Sequence, residues 1–148
     1  MQTITRLQRS GVGVGPDRTL SDVAQLMNSS GVGVIAVVEN DRIVGVVTDR
    51  DLVRRGLARG LPLDSRVDSV MTAPVVTIEA DAPLHDAVET FARHAIRRIA
   101  VVDHERFVGM ISLDDLLLDI AGDLRSLTAP LAAEIAFPQH DSPLPVST

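Results

Sequence analysis

The sequence predicts a mixed α/β (α+β) protein in which one unit of order β-α-β-β-α is used twice. Three observations predict it: an internal repeat, an apolar period that switches between strand and helix spacing inside each copy, and a length that suits two such units. Moving the 148-residue chain along itself by 64 positions superposes residues 11–54 on 75–118 without a gap. Thirteen of these 44 pairs are identical, among them Asp17/Asp81, Leu20/Leu84, Asp22/Asp86, Gly45/Gly109 and Asp51/Asp115. Most of the remaining core positions stay apolar, as in Val14/Ile78, Met27/Phe91 and Val47/Ile111. A repeat of this length is one supersecondary unit, and neighbouring copies must cover each other's apolar face.

Each copy reads the same way. A short strand (Val12–Val14; Val75–Ile78) runs into a turn at Pro16-Asp17 or Ala80-Asp81. Leu20, Val23, Ala24 and Met27 then recur at helical spacing, as do Leu84, Ala87, Val88 and Phe91. A buried β-run follows, Val34–Val38 or Ile99–Val102, and a polar hairpin at 39–42 or 103–106 turns the chain back. The returning strand, Ile43–Val47 or Phe107–Ile111, ends at Thr48 or Ser112, where the last helix opens. This places the first repeat with its lead-in at 1–59, a linker at 60–69, the second repeat at 70–127 and a C-terminal extension at 128–148, expected as a loose tail with a helix start at Ala129–Phe137 after Pro130. A half of about 60 residues buries too little surface to stand alone, so the halves are expected to pack together.

Composition removes several functions. The net charge is -6, from 14 basic and 20 acidic residues. That balance disfavours DNA, RNA and anionic membranes, which need a positive field. Three Phe and no Tyr or Trp leave almost no aromatic platform for single-stranded nucleic acid. No cysteine is present, so disulfides, thiolate zinc sites and cysteine nucleophiles are absent. His85, His94, His104 and His140 have no metal-ligand spacing. No apolar run reaches the ~20 residues a membrane helix needs, and the expectation is a soluble cytoplasmic protein that needs no cofactor for chemistry.

The strand-turn-helix stretches Val44-Gly-Val-Val-Thr-Asp-Arg-Asp-Leu52 and Val108-Gly-Met-Ile-Ser-Leu-Asp-Asp-Leu116 resemble the signature of CBS domains. That signature is Gly, two apolar residues, Thr or Ser, two free positions and Asp. Arg97–Asp103 and Asp68–Thr72 resemble CBS sequences as well, the latter as the lead-in to a repeat. The likeness spans about residues 4–125 and is similar to short stand-alone bacterial CBS-pair proteins (Bateman modules). The resemblance implies two repeats packed with pseudo-twofold symmetry, two clefts for AMP, ADP, ATP or another adenosyl ligand, a homodimer, and regulation of an unidentified protein without catalysis.

Carried onto this chain, the resemblance implies Asp51 and Asp115 as acceptors from ribose hydroxyls, and Thr48 and Ser112 as ribose or phosphate contacts. Arg50 and Asp114 take the phosphate-facing positions, and Arg98 a basic position that reaches phosphate. Val12 and Val76, with the backbones of Ile35-Ala36 and Ile99-Ala100, would line the adenine slots. An ionised carboxylate only accepts hydrogen bonds, which suits a diol donor. Gly45 and Gly109 leave room for a ligand or for backbone. The two sites differ, because Arg50 stands beside Asp51 while Asp114 stands beside Asp115, and Arg98 has Val34 as its counterpart. One strong and one weak site are therefore expected, the stronger at Thr48 and Asp51.

Plainer readings compete with this one. Thr48-x-x-Asp51 and Ser112-x-x-Asp115 also read as helix capping boxes. Gly11–Gly15 lacks the context of a phosphate loop and reads as a flexible first strand. The acidic pairs Asp49/Asp51 and Asp114/Asp115 have no nucleophile or oxyanion donors with them, so catalysis is not expected. Arg54-Arg55 reads as exposed charge. A scaffold with empty clefts is the main alternative to a nucleotide sensor.

Overall fold

The computed structural model describes residues 3–136, and the expected tail at 137–148 lies outside them. Its order is β1 (Gly13–Val14), α1 (Leu20–Ser30), β2 (Val34–Glu39), β3 (Arg42–Thr48), α2 (Asp49–Asp51), β4 (Thr77–Glu79), α3 (Leu84–His94), β5 (Arg98–Asp103), β6 (Arg106–Ser112) and α4 (Leu113–Ala136). Two three-stranded sheets result, ordered β1-β2-β3 and β4-β5-β6. In each, the outer strand pairs parallel with the middle one and the hairpin pairs antiparallel. The repeat extends to irregularities: the register slips at Val37/Val38 and again at Val101/Val102. Both hairpin turns hold two residues at positive φ, Asn40-Asp41 and His104-Glu105. Such turns match the right-handed twist of the strands they join.

The units complete each other. Residues preceding the first repeat lie on the second: Ile4 N–H donates to the Ala82 carbonyl at 3.1 Å, and Arg9 and Met110 exchange both backbone bonds at 3.0 Å. The stretch between the repeats lies on the first in the same manner. Thr72 and Val46 exchange bonds at 2.8 and 3.0 Å, and Val67 N–H donates to Arg18 O at 2.7 Å. The linker is thus a structural part of the first repeat, with a 3-10 turn at Val67–Ser69 whose Val67 and the following Val70 join Leu20, Val23, Ile35 and Val47 in the core. Reciprocal exchange of lead-ins is what a pseudo-twofold arrangement requires. At the hairpins, Phe107 N–H donates to Asp41 O at 2.9 Å and Arg42 pairs with Glu105 at 2.7 Å.

The helices start and stop for legible reasons. Thr19 and Asp22 form a capping box on α1, and Gly31 ends it in the left-handed conformation. After Thr48 the chain makes one α-turn, then a π-turn at Leu52–Gly56 and a 3-10 turn at Leu57–Arg59, ending at Gly60 with φ 69°. The first repeat therefore closes on a broken helix where a regular one is expected. The second closes on a continuous one. The chain divides into two compact units, Met1–Leu113 and Asp114–Thr148. In the latter α4 runs through Pro130 to Ala136, so the helix expected to start after Pro130 is the continuation of α4.

Candidate functional site

Thr48 ends β3, and its hydroxyl accepts from Asp51 N–H at 3.1 Å while Asp51 Oδ2 accepts from Thr48 N–H at 3.0 Å. Both halves of a capping box are present, as the plainer reading requires. That use occupies one carboxylate oxygen. The other, Oδ1, lies 4.0 Å from Arg55 Nε, and the Asp51 side chain keeps 18% of its surface exposed. Arg50 is exposed beside it, with its amide on Asp49 Oδ1 at 2.8 Å. Asp49 N–H donates to Gly33 O at 3.0 Å, which fixes the start of α2 against the loop before β2.

Arg55 is the residue the sequence reading missed. Its Nη1 donates to the carbonyls of Met71 at 3.1 Å and Val70 at 3.4 Å. The available signal was the four-residue spacing from Asp51, which puts the two side chains on one helix face. Nothing in the sequence showed that Val70 and Met71 would lie there.

In the second repeat, Ser112 stands directly opposite Arg98 across the β5–β6 pair, as Thr48 stands opposite Val34. Directly opposed residues share a sheet face with Cβ atoms about 5 Å apart. Arg98 and Ser112 are therefore neighbours on one face of the second sheet. Asp114 and Asp115 occupy the first turn of α4, where acidic residues complement the helix dipole.

The residues assigned to adenine slots divide. Val12 and Val76 are partly exposed, whereas Ile35, Ala36, Ile99 and Ala100 are buried. Ala36 N–H is spent on Val12 O at 2.9 Å and Ala100 N–H on Val76 O at 3.1 Å, so neither amide is left to donate to a base. The space at the two signature glycines is filled by the exchanged lead-ins. A Cβ on Gly109 would stand 2.5 Å from Arg9 O, and one on Gly45 would stand 3.1 Å from Thr72 O and run into Met71. Chain, not ligand, makes the close approach there. Among the described residues no group of three His, Asp or Glu side chains could hold a metal ion, and no helix is long and apolar enough to cross a membrane.

The duplicated strand-hairpin-helix geometry matches known proteins over most of its length. The CBS domain model matches residues 8–58 and 67–122. The CBS domain-containing protein YhcV of Bacillus subtilis is 37% identical over 106 residues, 72% of this chain and 76% of that protein. The CBS domain protein PAE2072 of Pyrobaculum aerophilum, solved in complex with AMP, superposes with a TM-score of 0.69 at 29% identity, covering 82% of this chain and 99% of that one. Hypoxic Response Protein I, solved with two coordinated zinc ions, superposes with a TM-score of 0.69 at 29% identity, covering 78% of this chain and 97% of that one. With two signature motifs, two equivalent sheets and both segments matched by the family model, the chain belongs to the CBS domain family as a two-repeat protein.

Proposed function

We propose that this protein is a regulatory module that binds an adenine nucleotide and carries out no chemistry of its own. The observation that carries the reading is the state of Asp51. Its capping duty uses Oδ2, which leaves Oδ1 at a partly exposed position to accept from a ribose diol. The AMP complex of the Pyrobaculum aerophilum relative supports the ligand class. Thr48 and Arg50 would stand beside the ribose and phosphate. In the second repeat Arg98 would supply positive charge at Ser112, and the sequence has Asp114 where the first repeat has Arg50, so the two sites are expected to be unequal. AMP, ADP and ATP are the expected ligands, and cytoplasmic location is part of the same reading.

Thermal unfolding tests it. A nucleotide at about 100 times its dissociation constant should stabilise the protein by about 2.7 kcal/mol. Asp51→Ala also removes half of the capping box, so the informative quantity is the shift caused by ligand, not the starting midpoint. That shift should vanish in Asp51→Ala and persist in Asp114→Ala. No shift with AMP, ADP, ATP or S-adenosylmethionine would overturn the reading.

A scaffold reading is favoured by a different observation. Leu20, Leu52, Leu57, Leu61 and Leu63 line an apolar hollow of about 310 Å³, and Leu57 and Leu63 are among the exposed leucines. Homodimerisation through this face is compatible with nucleotide binding. As the sole function, it would leave Asp51 as a cap only.

A further inference from the structure

Resting on the Asp51 reading above, we infer that Arg55 is a positioning residue that faces the ligand-accepting oxygen of Asp51 and couples it to the segment 70–72 between the repeats. Three groups meet at its guanidinium. Nε faces Asp51 Oδ1 at 4.0 Å, and Nη1 donates to Met71 O at 3.1 Å and Val70 O at 3.4 Å. Oδ1 is the carboxylate oxygen that the capping box leaves over, so Arg55 addresses the atom a ribose diol would use. The carbonyls it holds belong to the segment that crosses the first sheet at Gly45, where Thr72 exchanges two backbone bonds with Val46. A continuous path therefore runs from Oδ1 through the guanidinium to the exchanged lead-in. The planar fork of an arginine can serve a carboxylate and two carbonyls together, which the single ammonium of a lysine cannot.

Two further observations bear on this device. Arg55 lies within the π-turn Leu52–Gly56, an irregularity that occurs often at functional sites. Its counterpart 64 positions on is Asp119, on the continuous helix α4, so the arginine itself is not repeated. Occupancy of the first site should thus be felt in the 70–72 segment.

The test combines AMP titration by calorimetry with amide hydrogen exchange on the full chain, for wild type, Arg55→Ala and Arg55→Lys. In wild type, AMP should slow exchange of the Thr72 and Val46 amides. In Arg55→Ala, affinity for AMP should fall about two- to fivefold, the scale of one partly exposed ion pair, and the AMP-dependent slowing at Thr72 should disappear. Arg55→Lys should recover part of the affinity, through its charge, without recovering the slowing. Arg55→Ala that binds AMP as wild type does and still slows Thr72 overturns the inference. If wild type binds none of AMP, ADP, ATP and S-adenosylmethionine, the nucleotide reading fails instead, and the apo samples decide the coupling: Thr72 exchange must then be faster in Arg55→Ala than in wild type, and equal rates overturn it.

Discussion

Ala95 and Gly31 hold the same place in the two repeats, the residue after the first helix, and both adopt the left-handed conformation at φ 49° and 68°. Only glycine does so without steric penalty. Ala95→Gly is expected to raise stability by about 0.5–1 kcal/mol and Gly31→Ala to lower it by a similar amount, as read from urea midpoints at constant m-value. His104 carries a second residue-scale prediction. The hydrogen bond that His104 Nδ1 donates to Asp103 Oδ1, at 2.7 Å, raises its pKa above the ordinary 6.5, with the charges of Asp103 and Glu79 adding to it. A raised folded-state value means that its contribution is complete below the unfolded value and is lost as pH rises through the folded one. Proton NMR should find His104 titrating above the ordinary histidine value, and Asp103→Asn should bring it back toward that value.

Among the elements, α2 is the most dependent on its cap, because a single α-turn separates Thr48 from the π-turn. In the absence of ligand, Thr48→Ala should cost about 1 kcal/mol of global stability. The two signature glycines then separate backbone clash from side-chain clash. A methyl on Gly109 meets a main-chain oxygen at 2.5 Å, whereas at Gly45 the nearest obstacle is the flexible side chain of Met71. Gly109→Ala should cost about 2–3 kcal/mol and Gly45→Ala less, both by denaturant unfolding. Equal costs would show that Met71 has no room to give.

For the molecule as a whole, the exchanged lead-ins make each repeat depend on residues outside it. Ile4 is fully buried and Leu7 nearly so, and both precede the first repeat while their segment pairs with the second. Ile4→Ala should therefore cost about 2–4 kcal/mol. Because the repeats share their cores, unfolding should remain one transition when followed both by far-ultraviolet circular dichroism and by exchange of the Ala100 amide. Two separate transitions would mean that the repeats fold apart. The same exchange puts Met71 within reach of Arg55, so the candidate site in the first repeat borrows its support from the segment that leads into the second.

By itself the sequence determined the repeat, the order of elements within it, the hairpins, the caps at Thr48 and the asymmetry of Arg50 against Asp114. The repeat and its asymmetry follow from residue identity at a fixed offset of 64 positions, and the rest from side-chain period and turn chemistry within a dozen positions. The tertiary structure alone decided which half each lead-in covers, what fills the space at Gly45 and Gly109, that Arg98 stands against Ser112, and that Arg55 is not free surface charge. These depend on pairing between segments many residues apart. A strand's alternation says which face is apolar, but it does not say which distant backbone will lie alongside it. The amides of Ala36 and Ala100 belong to the same class, since only the parallel pairing of the first strands showed them to be already used.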